Sequence, residues 1–430
     1  MTKKRLSIGM FTCLYSQMNG SAHACRYLSE ALAKLGHDVH VFAPRIENGH
    51  NGHDGHNGYN GYNGNGKLKH LHFHDLGGAR VAESTGFVLS FPIHRAFMPG
   101  PKNLDIAHIQ THASVGALGI HWAKRSGLPM VGSHHSPMTY YSAQYLPIIG
   151  KLLVRNEFLW WYERLALEKY DLCHVPTRTK KEMLLEYKFR EPIVSLTNGI
   201  ADYYFQDIKP NGIREKYNIE DKKVLLYVSR LSPEKHPTRI IKQFKNIQKQ
   251  IPDAHLLMVG SDGPSSDAVK KIVKKRKYKD FVSYAGKVPF DDLVKLYKTA
   301  DVSCLWSWVE AEGLVLLEAM AQGTPNVGAN GSGIADVIQH GKTGFLANNL
   351  EEFEYYVVKL LKDDELRKSF GDRARKVAES YRIENVAKNW IKLYELTINE
   401  LYPLRYYRRE RRERVEVVKK FVKENPSIKF

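Results

Sequence analysis

Residues 301–323 read DVSCLWSWVEAEGLVLLEAMAQG. The run Val302 to Leu305 has the composition of a buried strand, and a loop carries the chain from it to Glu310. Gly313 marks a turn, and the apolar residues that follow predict a helix, closed by Gly323. Strand, glycine turn and helix in that order bring the unbonded amides of the first helical turn to the strand's carboxyl end. Such an end carries the positive pole of the helix dipole and suits a diphosphate. Glu310 precedes the helix. Glu318 lies about one turn inside it, where acidic residues of dinucleotide folds accept hydrogen bonds from ribose hydroxyls. Two glutamates at this spacing are common on solvated helices; the glycine, the apolar run and the preceding strand set this pair apart from that plainer reading.

Outward from this stretch the same rhythm recurs. Val224 to Val228, Ala254 to Val259 and Phe281 to Ala285 read as strands, separated by helices such as Thr238 to Gln250 and Asp267 to Lys275. Directly after the first of these strands comes Val228-Ser229-Arg230-Leu231-Ser232-Pro233-Glu234-Lys235, which puts two cations, Arg230 and Lys235, where open α/β sheets bind ligands. A surface ion pair with Glu234 is the alternative. Towards the N-terminus, Leu6 to Phe11 (strand), a polar loop with Gly20, Ala22 to Leu35 (helix, ended by Gly36) and Val39 to Ala43 (strand) form a βαβ opening. Gly20 sits in the phosphate-binding position of that opening, or serves backbone geometry alone. Asp105 to Gln110, Met130 to Ser133 and Leu172 to Pro176 continue the strands, with a helix at Val115 to Arg125. The expected fold is α/β: two Rossmann-like lobes, 1–200 and 201–385, whose parallel sheets face a central cleft, then a crossover helix at 386–402 and a basic tail at 403–430.

The length of 430 residues, with 43% hydrophobic and 11% aromatic, supports two or three domains with large cores and argues against disorder over most of the chain. Sixty-four Lys and Arg against 46 Asp and Glu leave +18, which favours anionic partners. Four scattered cysteines form neither a zinc knuckle nor a disulfide framework and fit a reducing cytoplasm. No signal-peptide core or membrane span is expected. The run 48–66 is rich in Gly and Asn and is expected to be a flexible loop, its histidines solvated rather than ligating a metal. Tyr140 to Tyr170 interleaves Tyr, Trp and Leu with Lys and Arg, a composition open both to a helix packed in the first lobe and to an interfacial one. The tail holds ten Lys and Arg against four Glu, and each cation near an anionic lipid surface contributes about 1 kcal/mol. No nucleic-acid-binding signature accompanies this charge.

These segments together resemble the retaining GT-B glycosyltransferases of family four, the glycogen-synthase-like group that uses nucleoside-diphosphate sugars. The likeness covers most of residues 5 to 400. It includes the Gly20 loop, Gly36-His37-Asp38-Val39, Asp105-Ile106-Ala107-His108-Ile109-Gln110-Thr111, Ser133-His134-His135, Thr197-Asn198-Gly199-Ile200 and the strip Val228 to Lys235. It continues through Val259-Gly260-Ser261-Asp262-Gly263-Pro264, the Glu310-x7-Glu318 motif and Gly341-Lys342-Thr343-Gly344-Phe345. The resemblance implies that Arg230 and Lys235 hold the diphosphate, that Gly20, Gly313 and Leu314 line the donor site, that Glu310 contacts the donor sugar and that Glu318 contacts the ribose. It implies a catalytic place for His135 beside the reacting sugar, reached when the lobes close, and an acceptor side at His112, Tyr140 and Tyr141, similar to enzymes that glycosylate diacylglycerol. No cofactor or metal is implied beyond the sugar nucleotide, with UDP favoured over GDP; the implied partners are a lipid acceptor and an anionic membrane surface, with the protein peripheral and cytoplasmic. The rival readings are a soluble sugar, sugar-phosphate or glycan acceptor, and a binding module that kept the fold without the activity. In three places the chain departs from the family pattern: Glu312 replaces a frequent Phe, Gln110 a frequent His, and Gly331-Ser332-Gly333 a double-glycine turn.

Overall fold

Strands covered on both faces read as unbroken apolar runs, and such runs organise this chain into two parallel sheets. The computed structural model describes residues 5–15, 19–44, 68–77, 79–82, 87–89, 103–112, 114–135, 158–190, 192–406 and 410–429. The run 48–66 and the tyrosines at 140, 141 and 145 lie outside them. The chain divides into two units, one of residues 1–199 with 383–430 and the other of residues 200–382.

In the first unit β1 (Ser7–Phe11), β2 (Asp38–Ala43) and β3 (Leu71–Asp75) are followed by a small hairpin, β4 (Ala79–Ala82) and β5 (Phe87–Leu89), and then by β6 (Ile106–Ile109), β7 (Met130–Ser133), β8 (Leu172–Val175) and β9 (Ile193–Ser195). The seven-stranded sheet runs β3-β2-β1-β6-β7-β8-β9, all parallel. Ile8, Met10, Val39, Val41, Ile106 and Ile109 are fully buried, and their burial fixes the register of the three central strands. Helix α1 (Gly20–Lys34) starts two residues before the expected Ala22, because the Asn19 side chain caps it, accepting the Ala22 N–H at 2.9 Å. Helices α2 (Val115–Arg125), α3 (Phe158–Leu167) and α4 (Arg178–Glu186) complete this part.

The second unit contains β10 (Lys223–Val228), β11 (Ala254–Val259), β12 (Val282–Gly286), β13 (Val302–Leu305), β14 (Asn326–Ala329) and β15 (Gly344–Ala347), in the order β12-β11-β10-β13-β14-β15. Helices α5 (Pro237–Gln250), α6 (Ser266–Val273), α7 (Phe290–Thr299) and α8 (Leu314–Ala321) connect them. In both sheets the strand order reverses beside the first strand, at β1/β6 and at β10/β13. There the crossovers leave to opposite faces and open a crevice at the strands' carboxyl ends.

From Ile383 the chain rejoins the first unit through α9 (Ile383–Leu396), which packs on α1, and ends in α10 (Glu410–Glu424). The basic tail is therefore folded against its own unit. Arg405 donates to both carboxylate oxygens of Asp171 at 3.0 Å, Arg414 approaches to 3.6 Å, and Lys429 pairs its backbone with Ser195 at 2.8 Å. Burial pushes the Asp171 carboxyl up against the pull of these guanidiniums. Tight packing also marks the strand beside Asp171: a Cβ added at Gly132 would lie 2.0 Å from the buried Tyr170 ring. Gly132→Ala is expected to destabilise the first unit by about 1–3 kcal/mol, read as a lower urea midpoint at unchanged m-value.

Candidate active site

The crevice of the second unit is built from the loops that leave β10 and β13. The strip after β10 is laced to the loop after β11 by Ser229 N–H donating to Val259 O (3.0 Å) and Leu231 N–H donating to Ser261 O (3.1 Å). Gly260 makes this approach possible: its φ is +147°, and a Cβ there would stand 1.9 Å from Ser229 O. The Tyr227 hydroxyl donates to the Lys235 carbonyl at 3.2 Å, so the strand itself fixes where the lysine starts. From that position Lys235 Nζ forms an ion pair with Glu310 Oε1, and both side chains are mostly buried. Arg230 turns to Glu234 instead, with 3.6 Å between Nη2 and Oε1. Although burial works against it, hydrogen bonding from the Ser232 hydroxyl (2.5 Å) and the nearby cations hold the Glu234 carboxyl below its ordinary value.

Glu310 is held at its backbone by the turn after β14. Its N–H donates to Ser332 Oγ at 3.1 Å, and the Gly333 N–H donates to its carbonyl at 3.1 Å. Ser332 adopts φ +49°, a left-handed conformation that costs a non-glycine residue about 1 kcal/mol or more. The glycines on either side leave no room for a side chain, since added Cβ atoms would meet the Trp308 ring at 2.6 Å and Ala311 O at 2.3 Å. Gly331-Ser332-Gly333 thus keeps the close approach of a double-glycine turn and adds a hydroxyl, a contribution of Ser332 that sequence reasoning missed although the departure from the family pattern marked the place. Beyond Glu310, Gly313 takes φ +89° and precedes Leu314, the first residue of α8. The first amides of α8 therefore open beside the Lys235–Glu310 pair.

Glu318 is engaged elsewhere. It is 5% exposed, and its carboxyl takes the Tyr297 hydroxyl at 2.8 Å together with that of Tyr204. Burial raises its pKa from 4.5 to about 7, against the opposing pull of the two hydroxyls.

The first unit presents a second group of polar residues at the ends of β6 and β7. His135 Nε2 is 2.8 Å from Gln110 Oε1, His112 Nδ1 is 3.0 Å from the Tyr170 hydroxyl, and His134 lies 3.5 Å from Glu163 with both side chains fully buried. Burial lowers the His135 pKa to about 3, with His174, His134 and Lys180 adding to the effect, so its imidazole is neutral at physiological pH. His112 is lowered well below its ordinary value for the same first reason. Gly20 is exposed at the start of α1. Among the described residues no group of three or more His, Cys, Asp or Glu converges in a way that would hold a metal ion.

Residues 18–202 match the family model described as Glycosyltransferase Family 4, and residues 211–377 match Glycosyl transferases group 1. The chain belongs to these family-four glycosyltransferases, with the GT-B fold. It is 28% identical over 400 residues to N-acetyl-alpha-D-glucosaminyl L-malate synthase of Bacillus anthracis, covering 91% of this chain and 97% of that one. It is also 28% identical over 328 residues to alpha-monoglucosyldiacylglycerol synthase of Streptococcus pneumoniae, covering 74% and 70%. Among solved structures, that of Anabaena HepE in complex with UDP and glucose has a TM-score of 0.69 at 16% identity, over 90% of this chain and 99% of that one, a likeness of fold.

The raised pKa of Glu318 has a thermodynamic sign. Because the folded state holds the proton more tightly than an unfolded glutamate of pKa 4.5, the stabilisation is complete below pH 4.5 and is lost as pH rises through about 7. Glu318→Gln, which keeps the shape and cannot ionise, is expected to flatten this dependence. By pH 8 it should recover about 3 kcal/mol relative to the wild type, measured by urea unfolding between pH 5 and pH 8.

Proposed function

We propose that this glycosyltransferase moves a hexose from a UDP-sugar to a lipid acceptor at the cytoplasmic face of a membrane, retaining the anomeric configuration. The departing diphosphate gains charge in the transition state, and Arg230, Lys235 and the first amides of α8 are placed in this reading to stabilise it. Glu310 takes the hydroxyls of the donor sugar, and the ribose contact expected of Glu318 requires its carboxyl to leave the Tyr297 and Tyr204 hydroxyls that hold it. The acceptor hydroxyl attacks C1 on the face the leaving group departs from; the new C1–O bond forms as the bond to the phosphate oxygen breaks, and the proton passes to that phosphate. Both glutamates serve the donor, so no protein nucleophile is assigned.

One observation carries the choice of a lipid. Among the described residues seven large hydrophobic side chains are exposed, and five of them lie on or just after α3 and α4: Phe158, Trp161, Leu165, Leu185 and Tyr187. On α3 Leu159, Ala166 and Leu167 are buried together with Glu163, and the opposite face is apolar as well, with Phe158, Trp161 and Leu165 (45%, 47% and 41% exposed) facing solvent, unlike the polar outer face of an ordinary amphipathic helix. Trp160 stacks on Tyr187 at 3.8 Å and joins the two helices into one patch. Arg164 flanks the exposed face of α3, giving the combination of aromatic rings and cations that settles at the headgroup level of anionic bilayers. No helix among the described residues is long and apolar enough to cross a membrane, so attachment in this reading is peripheral. A soluble acceptor is the second reading, and it draws on the Bacillus anthracis relative, whose name identifies it as an L-malate glycosylating enzyme.

Three measurements test these assignments. Lys235→Ala and Glu310→Ala are each expected to lower turnover by a factor of about 10²–10³ in a folded protein, and near-normal turnover in either would remove the donor-site assignment. Phe158→Glu with Trp161→Glu should abolish flotation with phosphatidylglycerol vesicles at low salt, whereas wild-type protein that fails to float argues for the soluble acceptor. UDP is expected to raise the melting temperature more than GDP does.

A further inference from the structure

The hydrogen bonds behind His135 determine which of its ring nitrogens carries the proton. A carbonyl oxygen only accepts, and His174 Nε2 lies 2.7 Å from Leu196 O, so His174 is protonated there. Burial lowers its pKa to about 4, which leaves the ring neutral and its Nδ1 bare. Ser133 Oγ, 2.8 Å away, donates its hydrogen to that Nδ1. The serine oxygen in turn accepts from His108 Nε2 at 2.7 Å, and His108 Nδ1 accepts the Tyr394 hydroxyl at 2.7 Å. Both in-plane directions of His108 are thereby filled.

Gln110 Nε2 lies 3.1 and 3.4 Å from the two ring nitrogens of His108. Finding no free lone pair in the ring plane, its N–H groups meet the ring face. The amide is oriented by this contact, and its oxygen turns to His135 Nε2 at 2.8 Å. An amide oxygen can only accept, whereas a histidine at this position could present either a proton or a lone pair. His135 must therefore donate through Nε2. Its Nδ1 is left as a lone pair, buried and without a hydrogen-bond partner among the described residues.

We infer that Gln110 is a positioning residue that holds His135 in the Nε2–H tautomer, so that Nδ1, covered in this structure, is a neutral acceptor for a substrate hydroxyl that displaces what covers it. The second half of this inference rests on the reading of His135 as lying beside the reacting sugar; the first half stands on the hydrogen-bond chain alone.

The test is nitrogen NMR on the full-length protein labelled with 15N-histidine at pH 7, with His135 assigned by the signal lost in His135→Asn. The neutral Nε2–H pattern is expected, and an Nδ1–H or doubly protonated ring would overturn the inference. Gln110→Leu removes the acceptor. It should redistribute the His135 tautomers and lower kcat at least about tenfold while donor KM stays within about twofold. Gln110→Glu presents an acceptor once its carboxyl is ionised, so above that pH it should keep the proton on Nε2, a rescue that a purely structural role would not give. If His135 keeps its tautomer in Gln110→Leu, the positioning role fails. If the tautomer shifts and kcat does not, tautomer control stands and the placement of His135 beside the substrate fails.

Discussion

A parallel sheet whose strand order reverses beside its first strand has one gap that its own crossovers cannot cover, and the placement of Arg230, Lys235, Glu310 and Gly313 follows from that constraint. At the reversal between β10 and β13 the outgoing loops carry Arg230 and Lys235 from one side and Glu310 and Gly313 from the other. The Lys235–Glu310 ion pair ties the two loops together. Pairing of this kind, in a largely dry setting, adds little to net stability, because desolvation consumes most of the attraction. Its effect is positional: two side chains with many rotamers are held to one arrangement, over a turn in which Ser332 and Gly333 fix the backbone of Glu310 on both sides.

The first unit has a strand-order reversal of its own, between β1 and β6, and gathers buried histidines near it. His108, His112, His135 and His174 are all buried, and burial holds each imidazole neutral. Neutral rings can act as donor at one nitrogen and acceptor at the other, which lets a carbonyl, a serine, an amide and a tyrosine be threaded into one directional sequence. Networks whose members are nearly all satisfied rigidify their surroundings. The Tyr394 end of this one is anchored by α9, where Trp390 packs against His108 and His174 at ring separations of 4.5 Å.

Much of this was legible from residue order. The central strands appear as apolar runs, the glycine at 313 announces a left-handed turn before a helix, and the family motifs point to both crevices. Short edge strands such as Ile193–Ser195 lack the length to register as a pattern. Glu318 illustrates a second limit: its spacing from Glu310 is visible, but Tyr297 and Tyr204, which enclose its carboxyl, come from distant segments. The orientation of α3 illustrates a third. Composition leaves this segment open between a packed and an interfacial helix, and the structure gives it both an apolar buried side with Leu159, Ala166 and Leu167 and an apolar exposed one; the burial of Glu163 depends on His134, on a loop far away in sequence. The tautomer of His135 depends on partners from several separated segments and is invisible in any local window.

The return of the chain to the first unit has a consequence for how the molecule is made. Residues 200–382 close on themselves, and a bridge between Ile200 and Arg382 joins their two ends. A nascent chain emerging from the ribosome thus has everything the second unit needs once Arg382 is out. The earlier-made unit must wait for Trp390, Tyr394, Arg405 and the strand-like pairing at Lys429. Until then His108 and Asp171 are without their final partners. The segment translated first is therefore the one completed last, and the order of assembly runs against the order of synthesis.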